Sequence, residues 1–353
     1  MSSIDGAEPR PSVGVFGASG ITGRELCRLL RDHPRFEVAF ATSREHSSLA
    51  EVDPAAPDLA LSHPDAVDPG GVDVVCLCLP HGRSAAVAAR CLAAGARVVD
   101  LSGDLRLRSA ATHASTYGSP RDEAVAAQAV YGLTEVARAQ LPTAQLVANP
   151  GCYPTCVALA LLPLAEAGRL RGPLVVHAAS GVSGAGASPT PTTHFCSVNE
   201  DVRPYKVGRA HRHVPEMEQA LGDSAPGPAP VVVFNPHLVP LERGMLATIV
   251  VHGAGLGADE ALELYRARYA DEAFVRVGSD PARIRAAART NDAVVGVSPV
   301  EGLDALVVTC AIDNVLKGAA GQALQNLNAM FDLPESLGLP SLSSKAALAG
   351  ACA

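Results

Sequence analysis

Residues 13–32 compress a strand, a turn built on three glycines and a helix into one short stretch near the start of the chain, and few folds tolerate that junction. VGVFG (13–17) is a β-branched and aromatic run, and RELCRLLRD (24–32) repeats apolar residues at helical spacing. Between them Gly17-Ala18-Ser19-Gly20-Ile21-Thr22-Gly23 reads G-x-x-G-x-x-G. Glycines at such a turn let the backbone come close to a pyrophosphate, and the helix start offers unpaired amides and a partial positive charge. A nucleoside-triphosphate loop is excluded, because Arg24 and Glu25 stand where Lys and Ser or Thr are needed. Dinucleotide binding is the leading reading, and a purely structural glycine turn is the competing one.

The following segments support the first reading. FEVAFA (36–41), VDVVCLCLP (72–80), RVVDLS (97–102) and AQLVANP (144–150) are apolar runs separated by Ala-rich helical stretches such as 84–96. Such alternation predicts a parallel sheet covered on both faces, an α/β Rossmann arrangement. The second strand runs into Thr42-Ser43-Arg44, where two hydroxyls and a guanidinium suit a 2′-phosphate, so NADP(H) is favoured over NAD. After Pro150 the texture changes. A helix over 154–167 is followed by apolar runs at 174–181, 230–241, 244–253 and 305–313, with long loops and one further clear helix at 259–270. That predicts an α+β domain with a mixed or antiparallel sheet. The pattern over 314–331 predicts an amphipathic helix that packs back on the first domain, with a loosely held end after Pro334. The expected division is therefore 1–149 with 313–353 as the cofactor-binding domain and 150–312 as the catalytic and dimerisation domain.

Composition sets the outer bounds. With 353 residues, 48% hydrophobic and 18% charged, the chain can bury a large core, which rules out disorder. A net charge of −8 and no basic stripe argue against nucleic acid as a partner. The opening MSSIDGAEPRPS lacks the features of an export signal, and no apolar run reaches the ~18 residues of a membrane span, so a soluble cytoplasmic protein is expected. Nine cysteines without a C-x-x-C pair indicate neither a disulfide framework nor a metal site. Cys27, Cys76, Cys78, Cys91 and Cys310 read as small buried hydrophobes.

Cys152 differs from these. In Asn149-Pro150-Gly151-Cys152-Tyr153-Pro154-Thr155 a strand closes and a helix opens, which places the thiol at a helix N-terminus and at the carboxyl end of a parallel strand. The helix dipole there is expected to lower the thiol pKa, and a nucleophilic thiol beside a nicotinamide suggests acyl transfer coupled to reduction. A second polar cluster spans Tyr205 to Glu216 and contains Lys206, Arg209, His211 and His213. Two histidines at i and i+2 on extended backbone point to opposite sides, so only one is expected to face the thiol.

Seven motifs stand in order: GASGITGRE, LPHG (79–82), LSGDLRL (101–107), NPGCYPT, SGVSGAG (180–186), HRHVPEM and AIDNVLKGAAGQA. Together, over about residues 13–331, they resemble the N-acetyl-gamma-glutamyl-phosphate reductases, NADPH enzymes of arginine biosynthesis. Aspartate-semialdehyde dehydrogenase and glyceraldehyde-3-phosphate dehydrogenase are more distantly similar, and the resemblance implies a catalytic domain of the latter's type. It further implies a Cys152 thioester, His211 as proton donor with His213 as second choice, and Tyr205 at an active-site tyrosine position. On the cofactor side it implies Gly17, Ser19, Gly20, Ile21 and Thr22 at the pyrophosphate, Leu79, Pro80, Ser102 and Gly103 beside the cofactor, and Ser180, Gly181 and Asn314 at the nicotinamide. Asn149 is a further candidate for substrate contact. The family's basic residue after SGVSGAG is replaced by Ala187, so Arg106, Lys206 or Arg209 would have to hold the substrate's anionic groups. The partners implied are a small acyl phosphate and other copies of the chain, as a homodimer or homotetramer. A sister reductase of a carrier-linked aminoadipyl phosphate would share fold and thiol, but Tyr153-Pro154 favours the arginine enzyme. A catalytically silent NADP-binding regulator is the reading from another class.

Overall fold

A computed structural model describes residues 10–56 and 58–342 of the chain; the opening segment through residue 9 and the Ser/Ala-rich end from residue 343 lie outside the described residues. Six parallel strands form the first sheet: β1 (Ser12–Phe16), β2 (Glu37–Ala41), β3 (Val74–Leu77), β4 (Arg97–Asp100), β5 (Ala129–Tyr131) and β6 (Leu146–Ala148). Their spatial order is β2-β1-β3-β4-β6-β5. From β1 the chain steps outward to β2 and then crosses to β3 on the other side, so the strand order reverses at the carboxyl end of β1, where such sheets bind ligands. The glycine turn occupies that point. Short β5 was not expected; Ala129-Val130-Tyr131 is too brief to show a strand pattern, and its pairing with β6 defines it.

The second sheet has seven strands: β7 (Leu174–Ser180), β8 (Arg203–Pro204), β9 (Val232–Leu238), β10 (Met245–His252), β11 (Val275–Gly278), β12 (Ala293–Pro299) and β13 (Ala305–Ile312). The order is β11-β12-β13-β10-β7-β9-β8, with β7/β9 and β11/β12 parallel and the other pairs antiparallel, a mixed sheet. β8, β11 and β12 were not anticipated. β12 carries Gly296 because its Cα lies against the backbone oxygen of Asp280, 2.2 Å from where a Cβ would be.

The helix Cys152–Glu166 is buried from Tyr153 to Ala165 and forms the centre of the larger core, against β7, β10, β12 and β13. Pro163 inside it removes the amide that would bond the Leu159 carbonyl. Tyr269 Oη donates to that oxygen instead, at 2.6 Å, and Tyr265 Oη donates to Ala160 O at 2.6 Å. Both tyrosines lie on the helix Ala258–Tyr269.

The C-terminal segment does not form the expected amphipathic helix. It opens with a π-turn, Leu316–Ala320, continues as the helix Gly321–Met330, and is buried on every side. Gln322, Gln325, Asn326 and Asn328, which suggested a solvent face, are fully buried, and each makes at least one hydrogen bond, with Gln322 Oε1 and Asn328 Oδ1 left without a partner among the described residues. The helix packs on the helix Ile21–Arg31 and on β4. Residues 335–342 are also held. Glu335 pairs with Arg138, Leu339 is buried and the Pro340 carbonyl accepts from Asn291 N.

Candidate active site

The glycine turn divides into positions that the protein's own packing requires and one that it does not. Gly17 has φ +79°, and a Cβ there would lie 2.4 Å from Cys78 O; a Cβ on Gly23 would lie 2.3 Å from Gly17 O. At Gly20 the nearest protein atom would be 3.6 Å away, so this glycine keeps open space clear rather than relieving a contact. The helix Ile21–Arg31 has no side-chain cap, and Ser19, Ile21 and Thr22 are part-exposed, which leaves the first-turn amides turned toward an anion site. These features fit a bound dinucleotide pyrophosphate.

Other expected cofactor residues build the loops around it. Ser43 is buried, donates to Ser19 Oγ at 3.1 Å and accepts the amides of Glu45 and His46, while Arg44 is exposed and makes no ion pair among the described residues. Leu79 packs into the apolar cluster beside β3, and Pro80 is exposed. Ser102 donates to Asp100 at 2.9 Å, and Gly103 donates its amide to His81 Nδ1 at 2.7 Å. The Tyr117 ring occupies the place of a Gly103 side chain, 2.4 Å from a Cβ there. Ser180 bonds the Gly181 carbonyl, and a Gly181 Cβ would strike Glu242 O. Asn314 is engaged at both ends, accepting from Gly244 N at 2.7 Å and donating to Ser183 Oγ at 2.9 Å.

Cys152 is the first residue of its helix, just past the end of β6, and is partly exposed. The turn before it is clamped from below. Fully buried Glu216 accepts from Gly151 N at 2.7 Å, Tyr131 Oη at 3.0 Å and Arg106 Nη1 at 3.3 Å. Arg106 in turn donates to Asn149 O and Leu101 O, each at 2.7 Å. Burial alone would weaken the Arg106 charge, but Glu216 holds its pKa above the usual value. The expectation of a lowered thiol pKa does not hold: burial pushes Cys152 up to about 11, against the opposing pull of Arg106 and of the Tyr153 amide. The thiol is neutral at rest. Asn149, fully buried, donates from Nδ2 to Ala319 O at 3.2 Å and accepts at Oδ1 from Asn326 Nδ2 at 3.0 Å, an anchoring arrangement.

The histidines overturn the strand-based expectation. They lie in a turn that ends in the helix Val214–Ser224, and the helical backbone at His213 brings both rings to one side, 4.8 Å apart between centroids. His211 Nδ1 accepts His213 N at 3.1 Å, which leaves the proton of the neutral ring on Nε2. Its ring meets Tyr153, Tyr205 and Phe234 edge to face. His213 lies against the nucleophile turn: its Nε2 is 2.8 Å from where a Gly151 Cβ would be, and its buried Nδ1 has no partner among the described residues. Burial pushes His211 down to about 4 and His213 well below the ordinary value, so both are neutral. Tyr205 Oη lies 3.1 Å from Tyr153 Oη, and burial pushes Tyr205 up to about 12.

Of the basic candidates, Arg209 is tied to Glu218 and Val232 O. Arg106 is internal, and Lys206 is exposed at φ +45°. The sequence reading assigned no role to His81 of the LPHG motif, to Arg212 and Glu216 of the Tyr205–Glu216 cluster, or to Tyr117. Arg212 is exposed between the two histidines and adds positive potential at His81, His211 and His213. Among the described residues no cluster of three or more metal-ligating side chains occurs.

Residues 12–144 match the family described as semialdehyde dehydrogenase, NAD binding domain, and residues 152–314 match semialdehyde dehydrogenase, dimerisation domain. Curated relatives are similar over nearly the whole chain. The N-acetyl-gamma-glutamyl-phosphate reductase of Halorhodospira halophila is 46% identical over 343 residues, 94% of this chain and 98% of that protein. That of Ectopseudomonas mendocina is 44% identical over 338 residues, 93% and 97%. The chain belongs to the N-acetyl-gamma-glutamyl-phosphate reductase family. Membership makes it an oxidoreductase of the semialdehyde dehydrogenase type. The fold is shared more widely: aspartate semialdehyde dehydrogenase II from Vibrio cholerae, solved in complex with ASA, superposes with a TM-score of 0.69 at 18% identity, covering 92% of this chain and 98% of that one. The enzyme from Candida albicans, solved with NADP, gives 0.63 at 15% identity, covering 91% and 98%. Among the described residues no helix is long and apolar enough to cross a membrane.

Proposed function

We propose that the chain reduces N-acetyl-L-glutamyl 5-phosphate with NADPH to N-acetyl-L-glutamate 5-semialdehyde and phosphate, a cytoplasmic step of arginine biosynthesis. The observation that carries this reading is the 44–46% identity to reductases of that name across 93–94% of the chain. Gly17, Ser19, Gly20, Ile21 and Thr22 would hold the pyrophosphate, and exposed Arg44 the 2′-phosphate. Bound NADPH supplies the reducing equivalent at the acyl carbon.

The remaining chemistry belongs to the chain. Cys152 Sγ attacks the acyl carbon, the bond from that carbon to the phosphate oxygen breaks, and phosphate leaves a thioester on the enzyme. With the thiol and both imidazoles neutral at rest, the Sγ proton must move during the attack rather than before it. The packing of His213 Nε2 against Gly151 supports giving this proton to His213 ahead of His211, with His211 holding the His213 backbone and ring in place. His213 then holds the proton beside the nucleophile turn, where negative charge develops on the carbonyl oxygen; once the acyl carbon is reduced, its bond to Sγ breaks, the semialdehyde leaves and the proton returns to Sγ. Tyr205 closes the same wall, and Lys206 and Arg212 offer charge for the substrate's anionic groups. Copies of the chain associate as a homodimer or homotetramer through the domain of residues 152–314, as its family's description supports.

The test runs the reaction backward. Given N-acetylglutamate semialdehyde, phosphate and NADP, the protein should form NADPH, and Cys152→Ser should not. Equal activity of that variant would refute the thioester, and activity without phosphate would refute the acyl-phosphate substrate. His213→Gln should cost about 10²–10⁴ in kcat and His211→Gln less; the reverse order would return the proton role to His211.

A further inference from the structure

The π-turn after β13 contributes to the site in a way that its sequence does not show. Gly318 N donates to Asp313 O at 2.9 Å and Ala320 N to Val315 O at 2.8 Å, bonds that skip one residue more than an α-helix does. The turn is held at its entrance, where buried Asp313 accepts the amides of Val315 at 2.9 Å and Leu316 at 3.0 Å. It is held again in the middle, where fully buried Lys317 pairs with Glu135 at 2.5 Å and donates to Gln325 at 2.7 Å. So anchored, its next two residues touch the nucleophile segment. A Cβ on Gly318 would lie 2.7 Å from Cys152 Cβ and 3.2 Å from Cys152 Cα. Ala319 O accepts Asn149 Nδ2 at 3.2 Å.

We propose that the Asp313–Ala320 turn is the backstop that sets the position of the Cys152 sulfur, with Gly318 as its positioning residue and Asn149 as its tether. This rests on Cys152 being the nucleophile. Gly318 φ is not in the left-handed region, so conformation does not demand glycine here; the approach to Cys152 does. The atoms a methyl group would meet are a Cβ and a Cα, which cannot swing aside, so the start of the helix Cys152–Glu166 has to move. Misplacement of an attacking atom by a fraction of an ångström costs rate without costing substrate affinity.

The experiment compares the full-length wild type with Gly318→Ala and Asn149→Ala, the second removing the tether without adding bulk. The readouts are kcat and KM in the NADPH-forming direction, the pH profile of Cys152 alkylation by iodoacetamide, and Tm. Gly318→Ala should lower kcat by about 10- to 100-fold with KM for phosphate and semialdehyde unchanged, and should shift the alkylation profile. Asn149→Ala should show the same signature more weakly. If Gly318→Ala folds and keeps both kcat and the wild-type alkylation profile, the proposal fails. It fails too if either variant loses Tm while each folded molecule retains wild-type kcat. Should Gly318→Ala not fold, Asn149→Ala decides alone. Failure of the nucleophile reading is separate, since it appears as retained activity in Cys152→Ser.

Discussion

At the scale of single residues, the thiol shows how environment overrides position. A helix N-terminus favours thiolate, and the sequence reveals that placement, but the burial that opposes it depends on residues from both sheets and on the C-terminal turn. The consequence is a pH dependence with a definite sign. Because the Cys152 pKa lies at about 11, its alkylation by iodoacetamide should rise about tenfold per pH unit well past the pH at which a free thiol levels off near ~8.5. Peptide mass mapping separates it from exposed Cys196. A plateau near pH 8 or 9 would contradict the burial argument. The same shift enters stability: above the ordinary thiol value the unfolded chain releases this proton first, so Cys152 makes folding less favourable as pH rises from about 9 toward 11. The histidine pair was half legible in the same way. His211 and His213 announce themselves, yet which one meets the nucleophile depends on a helical backbone angle at His213 that an i, i+2 rule on extended chain does not foresee.

At the scale of elements, the nucleophile helix and the helix Val214–Ser224 are joined through one carboxylate. Glu216 accepts from the amide just ahead of Cys152, from Tyr131 and from Arg106, so it neutralises a buried cation while fixing the turn. Glu216→Ala should therefore cost about 3–5 kcal/mol in denaturant unfolding, since Arg106 is left buried without its counter-charge. Glu216→Gln, which keeps an acceptor for Gly151 N, should lose less activity than the alanine variant. A loss below about 1 kcal/mol for Glu216→Ala would mean that solvent reaches Arg106 and that the clamp is dispensable. Apolar strand runs and the strand–glycine–helix junction were legible because the information is local. β5, β8, β11 and β12 were not, because short strands are defined by the neighbour they pair with. The Gly321–Met330 helix misled for a related reason: its amides form a stripe that suits water equally well, and only Thr134, Asn149, Asn291 and the tail after Pro334 turn that stripe into an interior network.

At the scale of the whole molecule, the seven-stranded sheet has one face against the core helices, while its other face is covered at β12 and β13 by residues 280–288 and exposed along β7 and β10. Along β7 burial alternates, with Val175 40% exposed, and along β10 Val250 is 37% exposed. The two residues are paired in the antiparallel register, so they form one apolar patch together with exposed Val231. An apolar sheet face of this kind is stable in water when another surface covers it. The matched family domain containing it is described as a dimerisation domain, which makes a second copy the natural cover. The prediction is that Val175→Asp combined with Val250→Asp converts the protein to a monomer in light scattering while the far-ultraviolet circular dichroism stays native. Both side chains point away from the core that holds the helix Cys152–Glu166, so the single-chain fold has no reason to fail. If the doubly substituted protein keeps the wild-type mass, the association surface lies elsewhere, and the open face of the sheet is not what the copies share.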